Sequence, residues 1–188
     1  MTSAYLSQPV IFLIDVLFGL YMGIVALRIL MQWAQWEYHN PIVQLIIKVT
    51  QLPVKFLRRF IPAIGHWDTA TIVLLVSLAI AKILLISLFQ ANMAPFIMIF
   101  RLALADIFSL FITLFSASIL IQVILSWFPA QANNNPVIPL ISRLNAPLLR
   151  PIRRLLPAMS GIDFSPLIVL LGLQVIAMLV LPLLLGQV

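Results

Sequence analysis

Apolar residues form four long stretches, separated by segments that hold most of the charged side chains. The stretches run approximately over Pro9–Trp33, Thr69–Phe89, Phe96–Trp127 and Pro166–Leu185. A helix rises about 1.5 Å per residue, so each stretch can cross the ~30 Å hydrocarbon core of a bilayer. The third is longer than needed, and we expect its first residues, with Arg101, to lie in the interface or to tilt. Trp33, Trp36 and Trp127 lie where two spans end, a position that amphipathic rings prefer.

The composition excludes a water-soluble monomer. Of 188 residues, 63% are apolar and 9% are charged, against roughly 45–50% and roughly 25% in soluble domains. The chain has no cysteine, which excludes disulfides and thiolate chemistry, and its two histidines, His39 and His66, are too few for an all-histidine metal site. We therefore expect no metal and no cofactor. The first residues lack a basic segment, which predicts an uncleaved first span.

The charge is strongly biased in sign and in position. Eleven Lys and Arg face five Asp and Glu, for a net charge of +6. Eight of the eleven lie in two segments between spans, which hold Lys48, Lys55, Arg58 and Arg59, and Arg143, Arg150, Arg153 and Arg154. The positive-inside rule places both segments in the cytoplasm and both termini outside. In a bacterium this means the inner membrane, with periplasmic termini. The excess charge favours anionic lipid as the partner, and we expect no direct contact with nucleic acid.

The sequence repeats itself at an offset of 95 residues. This offset aligns Asn40-Pro41 with Asn135-Pro136, Arg58-Arg59 with Arg153-Arg154, and Asp68 with Asp163, while one residue of slippage pairs Trp33 with Trp127. The repeated unit is span, basic segment, span. We assign residues 1–94 to the first repeat and 95–188 to the second. Because each unit crosses twice, both have the same orientation, which predicts a pseudo-two-fold axis along the membrane normal.

Each basic segment is predicted to form an interfacial amphipathic helix. Asn40 and Asn135 are good N-cap residues, and Pro41 and Pro136 fit a first helical turn. At 100° per residue, Lys48, Lys55, Arg58 and Arg59 fall on one arc, with apolar side chains outside it. The second copy places Arg143, Arg150 and Arg154 similarly. We expect Pro53 and Pro147 to divide each segment into two short helices.

Three uses of these cationic faces remain open. Helices of this kind lie in the headgroup plane and bind anionic lipid, but the charges also serve as plain topology determinants, and an acidic partner protein is a third use. After each face, Asp68 and Asp163 are expected to cap the next helix or to pair with the double arginines. Ser165 and Pro166 resemble the N-cap and first residue of the fourth span.

Three ionisable residues lie within the apolar spans. An ionised side chain there costs about 2.5–3.5 kcal/mol on insertion scales, so Lys82 is predicted to pair with Asp15 or Asp106, which lie at similar depth. A structural ion pair is favoured over a proton or ion path, because Ala177 stands where Lys82 maps in the second repeat. Arg28 is expected to reach the cytoplasmic headgroups and Arg101 the outer ones.

No catalytic motif accompanies these residues. The sequence lacks a nucleophile-elbow Ser, a zinc-protease His motif and a Gly-rich phosphate loop. We therefore expect a protein that is not an enzyme.

Several blocks resemble a known family. They are Leu27-Arg-Ile-Leu-Met-Gln-Trp33, Leu57-Arg-Arg-Phe-Ile-Pro-Ala63, Pro147-Leu-Leu-Arg-Pro-Ile-Arg-Arg-Leu-Leu-Pro-Ala158 and Gly161-Ile-Asp-Phe-Ser-Pro166. Together with the paired Asn-Pro positions they look like the YggT/YlmG family, in its two-repeat enterobacterial form. The resemblance implies a small bacterial inner-membrane protein with chloroplast relatives, linked to osmotic-stress tolerance, potassium handling, cell division and, in plastids, cytochrome assembly. It supplies no catalytic residues.

These observations predict an all-α membrane protein with four transmembrane helices in two parallel repeats, each with cytoplasmic interfacial amphipathic helices. The predicted function is a membrane scaffold or assembly and stress-tolerance factor that binds anionic phospholipids and protein partners through the two basic faces. The alternative is an ion channel or transporter subunit that uses Lys82, Asp15 and Asp106, and self-association is left open.

Overall fold

The structure, a computed structural model, describes residues 2–62, 68–90, 95–127, 135–155 and 163–186. Within these ranges the chain is all-helical. The six helices are α1 (Thr2–Trp33), α2 (Pro41–Leu57), α3 (Thr69–Phe89), α4 (Phe96–Ser126), α5 (Val137–Leu155) and α6 (Ser165–Leu185). His66 and most of the two turns predicted after the basic segments lie outside the described residues.

Four helices are long and apolar enough to cross a membrane: Ser7–Trp33 of α1, α3, α4 and α6. Their apolar side chains point in all directions, as is typical of helices surrounded by lipid and other spans. The four predicted spans are confirmed to within about two residues at each end. The helices α2 and α5 connect the first two spans and the last two spans.

The two halves repeat the same packing. The first span α1 packs on α3, with α2 against both, and α4 packs on α6, with α5 against both. The halves meet mainly where α4 packs on α3. A buried cluster beneath this contact contains Met22, Ala79 and Ala103. A second cluster, at the level of the basic segments, joins α1 and α2 to Leu140 and Leu144 of α5. Trp36 is buried in this second cluster.

The prediction that prolines divide the basic segments was wrong. Helix α2 runs through Pro53, and α5 runs through Pro147 and Pro151. A proline inside a helix removes one hydrogen bond and costs about 3 kcal/mol. The next inward residues, Val54 and Leu149, are fully buried against the spans. This packing stabilises the helical path across each proline.

The helix starts agree with the sequence at three of four landmarks. Asn40 is the N-cap of α2, its side-chain oxygen accepting a hydrogen bond from the Ile42 amide at 2.9 Å. Asn135 accepts the corresponding bond from the Val137 amide at 2.9 Å. Pro166 lies in the first turn of α6. Ser165 is not the N-cap: Phe164 holds that position, and Ser165 is already helical and buried, its amide donating to Asp163 Oδ1 at 3.0 Å.

Candidate functional site

Helix α2 presents three different faces. Val43, Ile46, Thr50 and Val54 are buried against the spans. The next face around the helix is polar and cationic, with Gln44, Lys48, Gln51 and Lys55 exposed. The third is apolar yet exposed, and it consists of Leu45, Val49, Leu52, Phe56 and, just beyond the helix, Phe60. The apolar side chains predicted to oppose the cations are therefore divided between an inward face and an outward one, which we call the outer strip.

Helix α5 shares the inward and cationic faces but lacks an outer strip. Its inward residues are Leu140, Ile141, Leu144, Asn145 and Leu149. Its exposed side carries Pro139, Ser142, Pro147 and Pro151 among the arginines, and Leu155 at the very end is its one large exposed apolar residue. Positions Leu140 and Leu144 correspond to Leu45 and Val49 of α2, so equivalent residues are buried in one repeat and exposed in the other.

Three of the eight predicted binding cations are held by acidic partners. Arg58 donates two hydrogen bonds to Asp68, at 2.6 and 3.2 Å. The Arg153 guanidinium lies 2.8 Å from Asp163, and Arg143 lies 2.6 Å from Glu37. Asp68 and Asp163 thus pair with the first arginine of each double-arginine block. These three cations serve first to fix the loops.

The surroundings of both aspartates favour the charged form. Burial alone would raise the pKa of Asp68, but hydrogen bonds from Arg58 and Thr71 outweigh it and lower that pKa below its usual value. Burial likewise opposes ionisation of Asp163, while hydrogen bonds from Ser165 and Arg153 lower its pKa. The hydrogen bond to Asp68 raises the pKa of Arg58 in turn. Both loops are therefore held by ionised carboxylates at neutral pH.

The remaining five predicted cations have no acidic partner within the described parts of the chain: Lys48, Lys55, Arg59, Arg150 and Arg154. All five are exposed. A cation that has no acidic partner inside the protein is free to interact with an anion outside it. These five residues therefore define the cationic faces of α2 and α5.

The two basic segments touch each other. The Asn40 side-chain amide donates to the Pro136 carbonyl at 2.7 Å, while Arg143 also donates to the Gln35 carbonyl at 3.2 Å. The N-terminal ends of α2 and α5 are thus joined across the repeats. The two basic segments are consequently connected to each other and are not independent loops.

Lys82 connects three helices inside the bilayer. Its ammonium nitrogen lies 2.7 Å from Asp106 Oδ2 and 3.1 Å from Asp15 Oδ1, so α1, α3 and α4 meet at one charged group. The lysine side chain is buried, whereas that of Asp15 is 60% exposed. The structure joins Lys82 to both of the carboxylates that the sequence offered as alternatives.

Arg28 does not reach the headgroups, contrary to expectation. Its guanidinium is 4% exposed, donates to Thr50 Oγ1 at 2.7 Å, and lies 3.7 Å from Asp68. The inward threonine and the aspartate offer nearby oxygens, so the side chain turns inward and ties α1 to α2. Arg101 is also bound to protein, donating to the Leu183 and Leu184 carbonyls at the C-terminus of α6.

The second repeat has a neutral network where Arg28 and Thr50 lie in the first. Ser118 donates to the Asn145 side-chain oxygen at 2.6 Å, and the Asn145 amide donates to Gln122 at 2.7 Å. This network was not predicted from the sequence, although Asn145 aligns with Thr50 and Gln122 with Arg28. Two polar residues recurring at equivalent positions in apolar surroundings were the signal.

No three His, Asp or Glu side chains within the described ranges group as metal ligands. The ion pairs and hydrogen bonds of these residues connect helices and hold the loops in place. They contain no nucleophile held by a base.

Comparison with known proteins identifies relatives over nearly the whole chain. The model of the CCB3/YggT family matches twice, over residues 7–89 and 101–184. A protein of Escherichia coli K12 named YggT is 42% identical, over 89% of this chain and 86% of the relative. A Vibrio alginolyticus protein from the proC 3′ region is 36% identical over 87% and 88%, and a Pseudomonas aeruginosa protein is 35% identical over 93% and 89%. No solved structure is significantly similar.

Proposed function

This chain belongs to the CCB3/YggT family, and from that premise we propose that it is a non-enzymatic membrane scaffold or assembly factor. It binds anionic phospholipids and protein partners through the cationic faces of α2 and α5. We place it in a bacterial inner membrane, with the basic segments cytoplasmic and both termini periplasmic. That orientation rests on the clustering of Lys and Arg in two segments.

The observation that carries the proposal is the outer strip of α2 beside its unpaired lysines. Leu52, Phe56 and Phe60 are 66–82% exposed, next to Lys48 and Lys55 on the same helix. In water an exposed apolar strip of this kind promotes aggregation. An interfacial helix instead buries such a strip about 5–10 Å into the headgroup boundary and keeps its cations at the phosphates. The edge-to-face pair of Phe56 and Phe60, with ring centroids 5.5 Å apart, stiffens its far end.

Anchoring of α2 makes the lipid contact a fixed one. Its inward face is buried against α1 and α3, and the Arg58–Asp68 pair holds its end. The backbone that carries Lys48 and Lys55 is therefore already ordered before lipid binds, so binding has to order only the side chains. Each cation near an anionic surface contributes about 1 kcal/mol, so the five together provide about 5 kcal/mol.

We assign Lys82, Asp15 and Asp106 to helix packing rather than to ion passage. Their two ion pairs join α1, α3 and α4, which is where the two halves of the protein meet. The position equivalent to Lys82 in the second repeat is Ala177, so the second repeat has no matching charged group that could continue an ion path.

The test is the set of lipids retained by the purified protein. In native mass spectrometry after mild detergent extraction, the intact protein should carry phosphatidylglycerol or cardiolipin in preference to phosphatidylethanolamine. Replacing Lys48, Lys55 and Arg59 by Gln should weaken anionic lipid binding by about two orders of magnitude, because three contacts of about 1 kcal/mol are lost. The matched variant with Arg at Lys48 and Lys55 should keep the preference. Unchanged adducts in the Gln variant would refute the proposal.

A further inference from the structure

The two repeats are joined through a seat that α1 and α3 form for α4. Ala103 of α4 lies in the buried cluster that includes Met22 of α1 and Ala79 of α3. Ile107, Leu110, Phe111 and Leu114 of α4 pack against that cluster. Lys82, at the edge of this seat, binds Asp106 of α4. The internal interface between α4 and the α1/α3 pair therefore shows how the first repeat binds the second.

The corresponding seat of the second repeat is open. A cavity of about 360 Å³ lies between α4 and α6, and its lining includes Ser109, Thr113, Ser116, Ala117, Gln174 and Ala177. Shifted back by 94 residues on α4 and 95 on α6, these positions include Met22, Ala79 and Lys82 of the first seat. Helix α1 does not pack on α6 as α4 packs on α3, within the described residues. The arrangement is therefore not a closed pseudo-two-fold pair, contrary to the sequence prediction.

Two polar side chains of the open seat, Ser116 and Gln174, have no hydrogen-bond partner among the described residues, whereas Thr113 donates to the Ser109 carbonyl at 2.9 Å. Ser116 Oγ is buried and makes no hydrogen bond. Gln174, near the middle of α6, is exposed and makes no hydrogen bond with any described residue. Its counterpart Ala79 is fully buried under α4. In hydrocarbon an unsatisfied amide is costly, and hydrogen bonds between helices relieve that cost. Lipid chains cannot supply such a bond.

The surface that would fill this seat is free on α1. The residues equivalent to the docking side of α4 are Phe12, Leu13, Val16, Leu17 and Leu20, and all five are exposed. Gly19 and Gly23, four residues apart beside them, have open space on their Cα side. Small residues at this spacing allow close approach of a second helix.

We propose that a second copy of this chain docks head to tail, with its α1 in the α4/α6 seat. The contact repeats the internal interface between the halves. It extends to the basic segments, because Leu45 and Val49 are exposed in α2 while their equivalents Leu140 and Leu144 are buried in the interface. Leu52, Phe56 and Phe60 stay on the lipid side. Such a contact uses two different surfaces and therefore produces rings or rows of copies in the membrane.

The test uses the absence of native cysteines. Lys82 and Asp106 touch in the internal interface, and their equivalents are Ala177 and Phe12. Phe12→Cys and Ala177→Cys, carried on chains with tags of different size and co-expressed, should be linked by a membrane-permeant bismaleimide. Each variant expressed alone should give no linked product. The matched pair Phe12→Cys and Leu179→Cys places the second thiol on an exposed part of α6 away from the seat, and should not link.

Two outcomes would overturn the proposal. One is a linked product from either variant alone, which indicates a symmetric dimer. The other is no product from the mixed pair although both thiols react with a monofunctional maleimide, which indicates that lipid fills the seat. As a second readout, Ala117→Phe fills the exposed rim of the cavity and should lower the yield at least fivefold, whereas Leu179→Phe should not change it.

Discussion

The two repeats bury polar groups with opposite chemistry. The first uses charges, with Lys82 between two carboxylates and Arg28 near Asp68. The second uses neutral groups at the equivalent depth, in the chain from Ser118 through Asn145 to Gln122. The charged half is the one that receives the other half against α3. Repetition of the sequence therefore preserves the helices but not the role of each half.

Helices α2 and α5, which form the two basic segments, also differ between the repeats. Helix α5 buries Leu140 and Leu144 against the first repeat, whereas α2 leaves Leu45 and Val49 exposed. The same apolar pattern thus yields a docked helix in one repeat and a free outer strip in the other. What distinguishes them is the neighbour, because this face of α5 lies against the first repeat, whereas the same face of α2 has no described helix against it.

The largest expected effect is loss of the charged junction. Lys82→Leu should lower the free energy of unfolding in detergent by about 3 kcal/mol, because it leaves Asp106 partly buried without its cation. Unfolding by titration with a denaturing detergent measures this change. Replacing Lys82, Asp15 and Asp106 together by Leu should recover most of the loss, since no unpaired charge remains. Equal stability of the single variant and wild type would contradict the assignment.

A smaller difference should separate Arg28 from Gln122. Arg28→Met removes a charged hydrogen bond to Thr50 and should cost about 2 kcal/mol, while Gln122→Met removes a neutral one and should cost about 1 kcal/mol. The same unfolding assay compares them. Equal costs would show that the two networks are interchangeable despite their difference in charge.

The smallest expected effects are those of low pH on the stability of the protein. Asp68 and Asp163 have lowered pKa values in the folded protein, so their stabilisation is present above the unfolded carboxyl value and is lost as pH falls through the folded pKa. Asp68→Asn should flatten the acid limb of a stability-against-pH curve more than Asp163→Asn. Asp68 is 3% exposed and Asp163 is 43% exposed, and the more exposed pair contributes at most about 1 kcal/mol. An identical acid limb in both variants would remove the distinction.

Sequence patterns predicted most of the fold, because the spans and caps depend on neighbouring residues and the repeat is visible as the same pattern 95 residues later. Four apolar runs set the spans, and the side chain of Asn40 set the start of α2. The continuity of α2 through Pro53 was not predictable, since it depends on Val54 packing against other helices. The direction of Arg28 was missed for the same reason: Thr50 and Asp68 are far from it in sequence.

The candidate site, like the fold, was only partly predictable from the sequence. The sequence identified every cation of the two faces and offered pairing of Asp68 and Asp163 with the double arginines as one alternative. The fold selects Arg58 and Arg153 for these pairs and adds the unpredicted pair of Arg143 with Glu37. The intramembrane triad was accessible because a lysine in an apolar span requires a partner. The open seat between α4 and α6 was not accessible, since its polar lining is recognisable only beside the filled seat of the first repeat.

The central claim is that Leu52, Phe56 and Phe60 of the outer strip lie in the lipid surface. A spin label on Leu52→Cys, the sole thiol of the chain, reports immersion depth in bilayers containing phosphatidylglycerol. The label should be more accessible to oxygen, which concentrates in lipid, than to a water-soluble nickel complex, and the neighbouring label on Gln51→Cys should show the reverse. Equal access of the nickel complex to both labels would contradict the claim.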